Sequence, residues 1–434
     1  MRFLQGMQLQ LLLAIGCLAP AALHAQDLKP TVLFENVRIF DGKSDTLSAP
    51  SNVLVRGNVI ERVATSPIPV DRRADTQIIQ GGGRTLMPGL IDAHWHAMMA
   101  AVPLPVLLTS DIGYINLAAG KEARNTLMRG FTSVRDLSGP AFGLKRAIDE
   151  GLVDGPRIWP SGAMISQTGG HGDFRMPYEV PAARNAALSR GEAINGGVIA
   201  DGEDEVRKRV REQLMLGATQ IKLAAGGGVS SHYDPIDVAQ YSEGEFRAAV
   251  EAAENWGTYV AVHAYTPRAI QAAVRAGVKV IEHGQLMDEP TARLMAERGV
   301  WLSLQAFIDN EFSNPKTGES RAKQLEVYAG TDNAYELAKK YGLKVAWGTD
   351  ILFEPRMPAH QGAMLATMTR WYKPSEVLKM ATSTNAELLA LSGPRNPYPG
   401  KLGVVEEGAL ADLLLVEGDP IADIKLIANP EKNF

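Results

Sequence analysis

The chain has 434 residues, of which 45% are hydrophobic, 21% charged and 6% aromatic, and its 44 basic and 49 acidic side chains leave a formal charge of −5. This mix suits a soluble globular protein with a sizeable core and excludes a disordered chain, a collagen-like repeat and a small disulfide-stapled domain. With no basic excess there is no nucleic-acid footprint, and the single cysteine, Cys17, excludes an intrachain disulfide and a cysteine-rich metal site.

In chain order, Arg2, the apolar run Leu11–Ala19 and the small residues up to Ala25 predict a secretory signal peptide over 1–25. Cys17 in Ala14-Ile15-Gly16-Cys17 leaves lipidation as a second reading. His24 would depart with the peptide, and the mature protein would be exported, periplasmic or secreted, and free of thiols. Residues 31–88 read as short strands: Thr31–Phe40 before Asp41-Gly42, Asn52–Arg56 before Gly57-Asn58, then Val59–Val63. Leu402–Asp423 has the same character, with Ala411–Val416 as its strand. Two β-rich ends predict a small β-sandwich domain over 26–84 plus 386–434, built around a central domain over 85–385. No apolar run reaches the length of a membrane span.

The centre alternates β-type runs with helical segments. The runs are Thr85–His96, Phe131–Leu137, Arg157–Ile165, Ala218–Ala224, Tyr259–Tyr265, Val278–His283, Trp301–Phe307 and Lys344–Asp350. Ser242-Glu243-Gly244-Glu245 is a capping box opening a helix that ends near Gly257. Thr266-Pro267 opens the next, and Gly277 stops it. Residues 183–203, rich in Ala, Gly and Asn, read as an inserted loop suited to a lid. The alternation predicts an α/β fold, a (β/α)8 TIM-like barrel, with its chemistry at the C-terminal ends of the strands.

The metal-competent side chains fall at those ends. His94-Trp95-His96 closes the first run, Lys222 lies in the fourth, His263 in the fifth, His283 ends the sixth and Asp350 the eighth. Residues i and i+2 of a strand share a face, so His94 and His96 point together. Imidazoles and a carboxylate are zinc ligands. Each residue alone has an ordinary structural use; four of the eight histidines with Lys222 and Asp350 on one rim point to a metal site. Arg135-Asp136 reads as a structural ion pair near that rim. Gly226-Gly227-Gly228 lacks the Gly-x-Gly-x-x-Gly spacing of a nucleotide loop and reads as close backbone approach to the site. His232 lies where it can line the pocket, and His360 reads as structural.

As an ordered set these motifs resemble the metal-dependent amidohydrolase superfamily. The resemblance rests on Leu86-Met87-Pro88-Gly89-Leu90-Ile91-Asp92-Ala93-His94-Trp95-His96, Thr132-Ser133-Val134-Arg135-Asp136, Ile221-Lys222, Val262-His263-Ala264, Glu282-His283-Gly284 and Gly348-Thr349-Asp350. The tail Gly408–Pro420 matches as well. Thr168-Gly169-Gly170-His171-Gly172-Asp173, the triple glycine and His263-Ala264-Tyr265 resemble the branch of imidazolonepropionase-related proteins, prolidase-like carboxypeptidases and ochratoxin-hydrolysing amidases. The resemblance implies one further strand of the small β domain beyond the position of Phe434.

The resemblance implies two divalent metal ions, usually Zn2+. His94 and His96 would bind one with Asp350, His263 and His283 the other, and Lys222, as a CO2-derived carbamate, would bridge them. Asp350 would be the catalytic proton carrier. Tyr265 and His171 would contact the substrate, as catalytic donors to the oxyanion or as holders of a carboxylate. The implied reaction is hydrolysis of the amide of N-acyl amino acids or dipeptides, ochratoxin A included. The implied assembly is a homo-oligomer, the octamer being one form. A cyclic-amide hydrolase or deaminase on the same metals is a rival reading, and a non-catalytic periplasmic binding protein is another.

Overall fold

A computed structural model of the protein describes residues 29–71, 76–181 and 186–434. The signal-peptide reading over 1–25, with Cys17 and His24, lies outside the described residues.

The strands of the N-terminal region are β1 Thr31–Ile39, β2 Ser51–Arg56, β3 Val59–Ala64, β4 Thr76–Gln80 and β5 Thr85–Pro88. The central strands are β6 Leu90–Trp95, β7 Phe131–Asp136, β8 Arg157–Pro160, β9 Met164–Ser166, β10 Gly197–Ile199, β11 Ile221–Ala224, β12 Val260–Ala264, β13 Val280–His283, β14 Trp301–Ser303 and β15 Val345–Ala346. A last strand, β16 Leu413–Val416, follows.

The two chain ends do pair. β16 runs antiparallel to β5, with Leu413 opposite Pro88 and Val416 opposite Thr85. The strands of the expected sandwich form one connected six-stranded network, in which β1 pairs with β2 and β4 and also with β5. Val37, Val53, Ile60, Leu86 and Val405 form its core. Elsewhere in 386–434 the chain returns to the central part. The helix Asn385–Leu389 packs on β6, and Lys425–Ala428 packs on Gln361–Ala366.

The central strands form two all-parallel sheets, β6-β7-β8 and β10-β9-β11-β12-β13-β14-β15. β6, β11, β12 and β13 are buried along their whole length, as expected where helices cover a parallel sheet. The helices form where local chemistry directs. Ser242 and Glu245 cap Glu243–Glu254 reciprocally. Pro267 opens Pro267–Ala276, and Gly277 ends it in the left-handed region at φ 103°.

Three expected elements differ. Thr85–His96 is two strands, divided at Gly89, where the chain crosses from the terminal sheet to the central one: Gly89 N–H donates to Asp412 O at 2.8 Å and Leu90 N–H to Gly130 O at 2.9 Å. A Cβ on Gly89 would lie 2.0 Å from Thr132 Oγ1, so the crossing needs glycine. Arg157–Ile165 is likewise broken, between Pro160 and Met164. The expected loop 183–203 carries a capped turn of helix, Arg190–Ala193, and the strand β10 beside β9.

Candidate active site

His94, His96, Lys222, His263, His283 and Asp350 all line one cavity of about 450 Å³, together with His171, His232 and Tyr265. They arrive from different strands: His94 from β6 with His96 just beyond it, Lys222 from β11, His263 from β12, His283 at the end of β13 and Asp350 after β15.

One donor atom each from His94, His96 and Asp350 falls within 4.8 Å of the others. Asp350 Oδ1 is 3.1 Å from His94 Nε2 and 3.0 Å from His96 Nε2. His263 and His283 flank this group with ring centroids 4.5 Å apart, and His283 is 5.0 Å from His94. His283 and Asp350 both adopt left-handed backbone, at φ 79° and 56°. Such conformations cost roughly 1–3 kcal/mol each and gather at functional sites.

Each of the four histidines has one ring nitrogen occupied from behind. His94 Nδ1 lies 2.9 Å from Glu282 Oε2 and His96 Nδ1 3.5 Å from Ser138 O. His263 Nε2 donates to Gly227 O at 3.0 Å, and His283 Nδ1 to Gln305 Oε1 at 2.7 Å. This backing fixes the ring and leaves the other nitrogen available as a ligand atom. Burial pushes His96, His263 and His283 below the ordinary imidazole range, the last two far below it, so they are neutral. For His94, burial acts the same way, but Asp350 and Glu282 outweigh it and raise the pKa.

Several supporting residues were not singled out by sequence. Glu282 is fully buried and also receives Arg135 Nη2 at 2.7 Å. Arg135 and Asp136 therefore do not pair with one another. Consecutive strand residues face opposite ways: Arg135 reaches Glu282, Ala93 O and Tyr259, while Asp136 Oδ2 accepts from Ala97 N–H at 2.7 Å just past His96. Asp92 accepts from His94 N–H, Thr349 N–H, Thr349 Oγ1 and Gln361 Nε2, tying β6 to the Asp350 loop. Gly348 permits that approach, since its Cβ would stand 2.3 Å from His94 N. The alternation of strand faces was the one signal that separated Arg135 from Asp136; nothing local marked Glu282 or Asp92.

Around the centre, His171 stacks on His263 with centroids 3.8 Å apart, and the Tyr265 ring lies 4.9 Å from His263 and 5.0 Å from His283. Burial raises the Tyr265 hydroxyl well above its ordinary range, so it remains a donor. His232 is exposed at the mouth. His360 is exposed and lies beside Phe312, and it does not itself line the cavity. The triple glycine does serve close approach: a Cβ would stand 1.7 Å from Pro235 O on Gly227 and 2.0 Å from His171 Nδ1 on Gly228.

Convergent imidazoles with an ionised carboxylate, at the C-terminal ends of parallel strands, are groups able to hold a metal ion. Residues 85–432 match the Amidohydrolase family, and the chain belongs to that family. It is 34% identical over 368 residues to the ochratoxinase of Aspergillus niger, covering 80% of this chain and 73% of that protein. The crystal structure of Aspergillus niger ochratoxinase superposes with a TM-score of 0.80 at 29% identity, over 94% of each chain. A prolidase crystallised with N-methylphosphonate-L-proline gives a TM-score of 0.83 at 36% identity, over 93% of this chain and 96% of that one. The protein is thus a hydrolase of amide bonds on a TIM-barrel-like fold with an additional domain, and the binding-protein reading falls away. No helix among the described residues is long and apolar enough to cross a membrane.

Proposed function

We propose that this chain is a binuclear metal-dependent amidohydrolase cleaving the amide bond of N-acyl amino acids or dipeptides, aromatic amides such as ochratoxin A included. The observation that carries the reading is one cavity lined by four backed histidines, Asp350 and a buried lysine. His94 and His96 would hold one ion with Asp350, and His263 and His283 the second. Lys222, carboxylated, would join the two. Burial pushes the Lys222 ammonium down to about 8, with Glu282 and Asp350 opposing the shift and Arg135 adding to it. Carbon dioxide reacts with the neutral amine, and a pKa near 8 leaves roughly one amine in ten neutral at pH 7.

Divalent ions at such a site, when bound, lower the pKa of water from ~15.7 towards about 7 and polarise a carbonyl. The remaining steps belong to the chain. Asp350 accepts a proton from the water that attacks the carbonyl carbon. It delivers that proton to the amine nitrogen as the C–N bond breaks, leaving a carboxylic acid and a free amine. Tyr265 donates to the oxygen on which charge develops, and His171, stacked on His263, also meets the substrate. Phe174, Phe307, Phe312, Phe353, Met164 and Met357 line the same cavity and suit an apolar or aromatic group.

Four wider features join the proposal. With β8 and β9 counted as one broken strand and β10 left outside, the two central sheets form one eight-strand ring, supported by Ala93 N–H donating to Trp347 O and Thr219 N–H to Pro160 O. The barrel begins at Leu90 instead of Thr85, and the smaller domain takes the strands β1 to β5 with β16, since β5 pairs with β1 and β16. The mature enzyme is exported after removal of 1–25 and forms a homo-oligomer, to be read by light scattering.

A screen of N-acyl amino acids and dipeptides with zinc-loaded protein tests the function. Linear amides are expected to be cleaved. Turnover confined to cyclic amides or to amine-bearing rings would instead favour the cyclic-amide hydrolase or deaminase. A separate prediction concerns Glu282: Glu282→Gln should weaken metal retention about 10- to 100-fold in chelator competition, because it loosens His94. It also leaves the buried Arg135 without its counter-charge, which costs roughly 3–5 kcal/mol of stability by denaturant unfolding. Unchanged retention would remove Glu282 from the site.

A further inference from the structure

Behind His171 lies a buried group that hydrolysis as described does not use. Asp234 is 1% exposed, and its Oδ2 sits 3.5 Å from His171 Nδ1. Ser231 Oγ is 2.9 Å from the same nitrogen. Asp234 Oδ1 has no hydrogen-bond partner among the described residues. Gln240 links the Asp234 side chain to the His171 backbone: its Oε1 accepts from the His171 backbone N–H at 3.0 Å, and its Nε2 donates to Asp234 Oδ2 at 3.3 Å. Lys323 donates to Ser231 O at 3.2 Å and Asp234 O at 2.9 Å, which pins the loop carrying both to the helix Gly318–Tyr341.

A buried carboxylate is costly to keep, and one with an unpartnered oxygen calls for a reason. The geometry supplies one. The stack on His263 fixes the plane of the His171 ring but not which edge faces the cavity. A half-turn about χ2 would exchange Nε2 with a carbon, and that torsion is broad and nearly two-fold. Acceptors at Nδ1 break this symmetry. We infer that Asp234, with Ser231, is a positioning residue: it holds His171 Nδ1 so that Nε2, and not carbon, meets the substrate. The inference rests on the proposed role of His171 as a substrate contact.

A double-mutant cycle on the full-length, zinc-loaded protein tests it, with N-acetyl-L-phenylalanine as substrate. Asp234→Ala should lower kcat/KM about 10-fold or more in the wild-type background and less than about 2-fold on top of His171→Ala. Equal losses in both backgrounds would show a structural role and overturn the inference. If Asp234→Ala does not fold, Ser231→Ala and Asp234→Asn enter the same cycle, and Asp234→Asn, which keeps an acceptor oxygen, should retain most of the activity. Histidine-selective 15N spectra give a reading independent of turnover. Asp234→Ala should shift the His171 Nδ1 resonance and leave those of His94, His96 and His283 in place. An unmoved His171 signal overturns the inference. A shifted signal in a protein whose wild type cleaves no amide would uphold the positioning and sink the hydrolytic reading alone.

Discussion

Asp350→Asn is expected to lower kcat/KM for an N-acyl amino acid by about 10³- to 10⁴-fold, the upper range for loss of a proton-transfer group. Asn has the same shape and remains able to ligate weakly through oxygen, but it cannot accept and return a proton. The fold should tolerate it. Asp350 sits at φ 56°, a left-handed conformation that Asn adopts as readily as Asp. Its backbone N–H donates to His94 O at 2.8 Å, a bond the substitution leaves intact. In the native site, burial pushes the Asp350 carboxyl up, but the charge and hydrogen bonds of His94 and His96 prevail and hold it well below the carboxylate range. It is therefore ionised, as both a proton acceptor and an anionic ligand must be. Steady-state kinetics beside elemental analysis separates the two roles. Metal content near the wild-type level with activity reduced by three orders of magnitude assigns the loss to proton transfer. Activity within tenfold of wild type would remove Asp350 from the chemistry.

How much of this was legible beforehand follows from which interactions are local. The parallel strands were readable because β11, β12 and β13 are short apolar runs between capped helices, and both signals lie within a few residues. His94 and His96 were readable together because a strand repeats every two residues. What the sequence hid is long-range. Glu282 looks like a polar residue beside His283, and its partners, His94 and Arg135, lie on other strands. Asp92 precedes His94 by two positions, yet its purpose appears only when Thr349 and Gln361 arrive beside it. The strained backbone of His283 has no sequence signature, because a histidine there reads as the end of an ordinary strand. Arg135-Asp136 misled for the opposite reason: adjacency in sequence suggested a pair that the pleat separates.

Lys222→Ala should abolish both functions of the site together. Metal content after gel filtration should fall below roughly a tenth of wild type, and activity by about 10⁴-fold, the scale seen when one member of a co-acting group is removed. The reasoning starts from burial. Lys222 is 2% exposed, on a strand whose every residue is buried, and it faces the cavity of the histidines and Asp350. As an ammonium it would oppose any divalent ion placed there. Two unit charges about 4 Å apart interact by roughly 4 kcal/mol at an effective dielectric of about 20, and a divalent ion doubles that. A carbamate on the same nitrogen reverses the sign and offers two oxygens to span ions about 3.5–4 Å apart. Alanine removes that anion while leaving the four backed histidines in place, so thermal unfolding should change little in the metal-free protein. Acetate or propionate should then restore part of the metal content and part of the activity, because the space vacated by the side chain admits a small carboxylate. Full metal loading and full activity in Lys222→Ala would show that the lysine is merely buried and that the ions are held without it. Rescue of metal content without activity would place the carbamate in ion binding and leave the catalytic burden with Asp350.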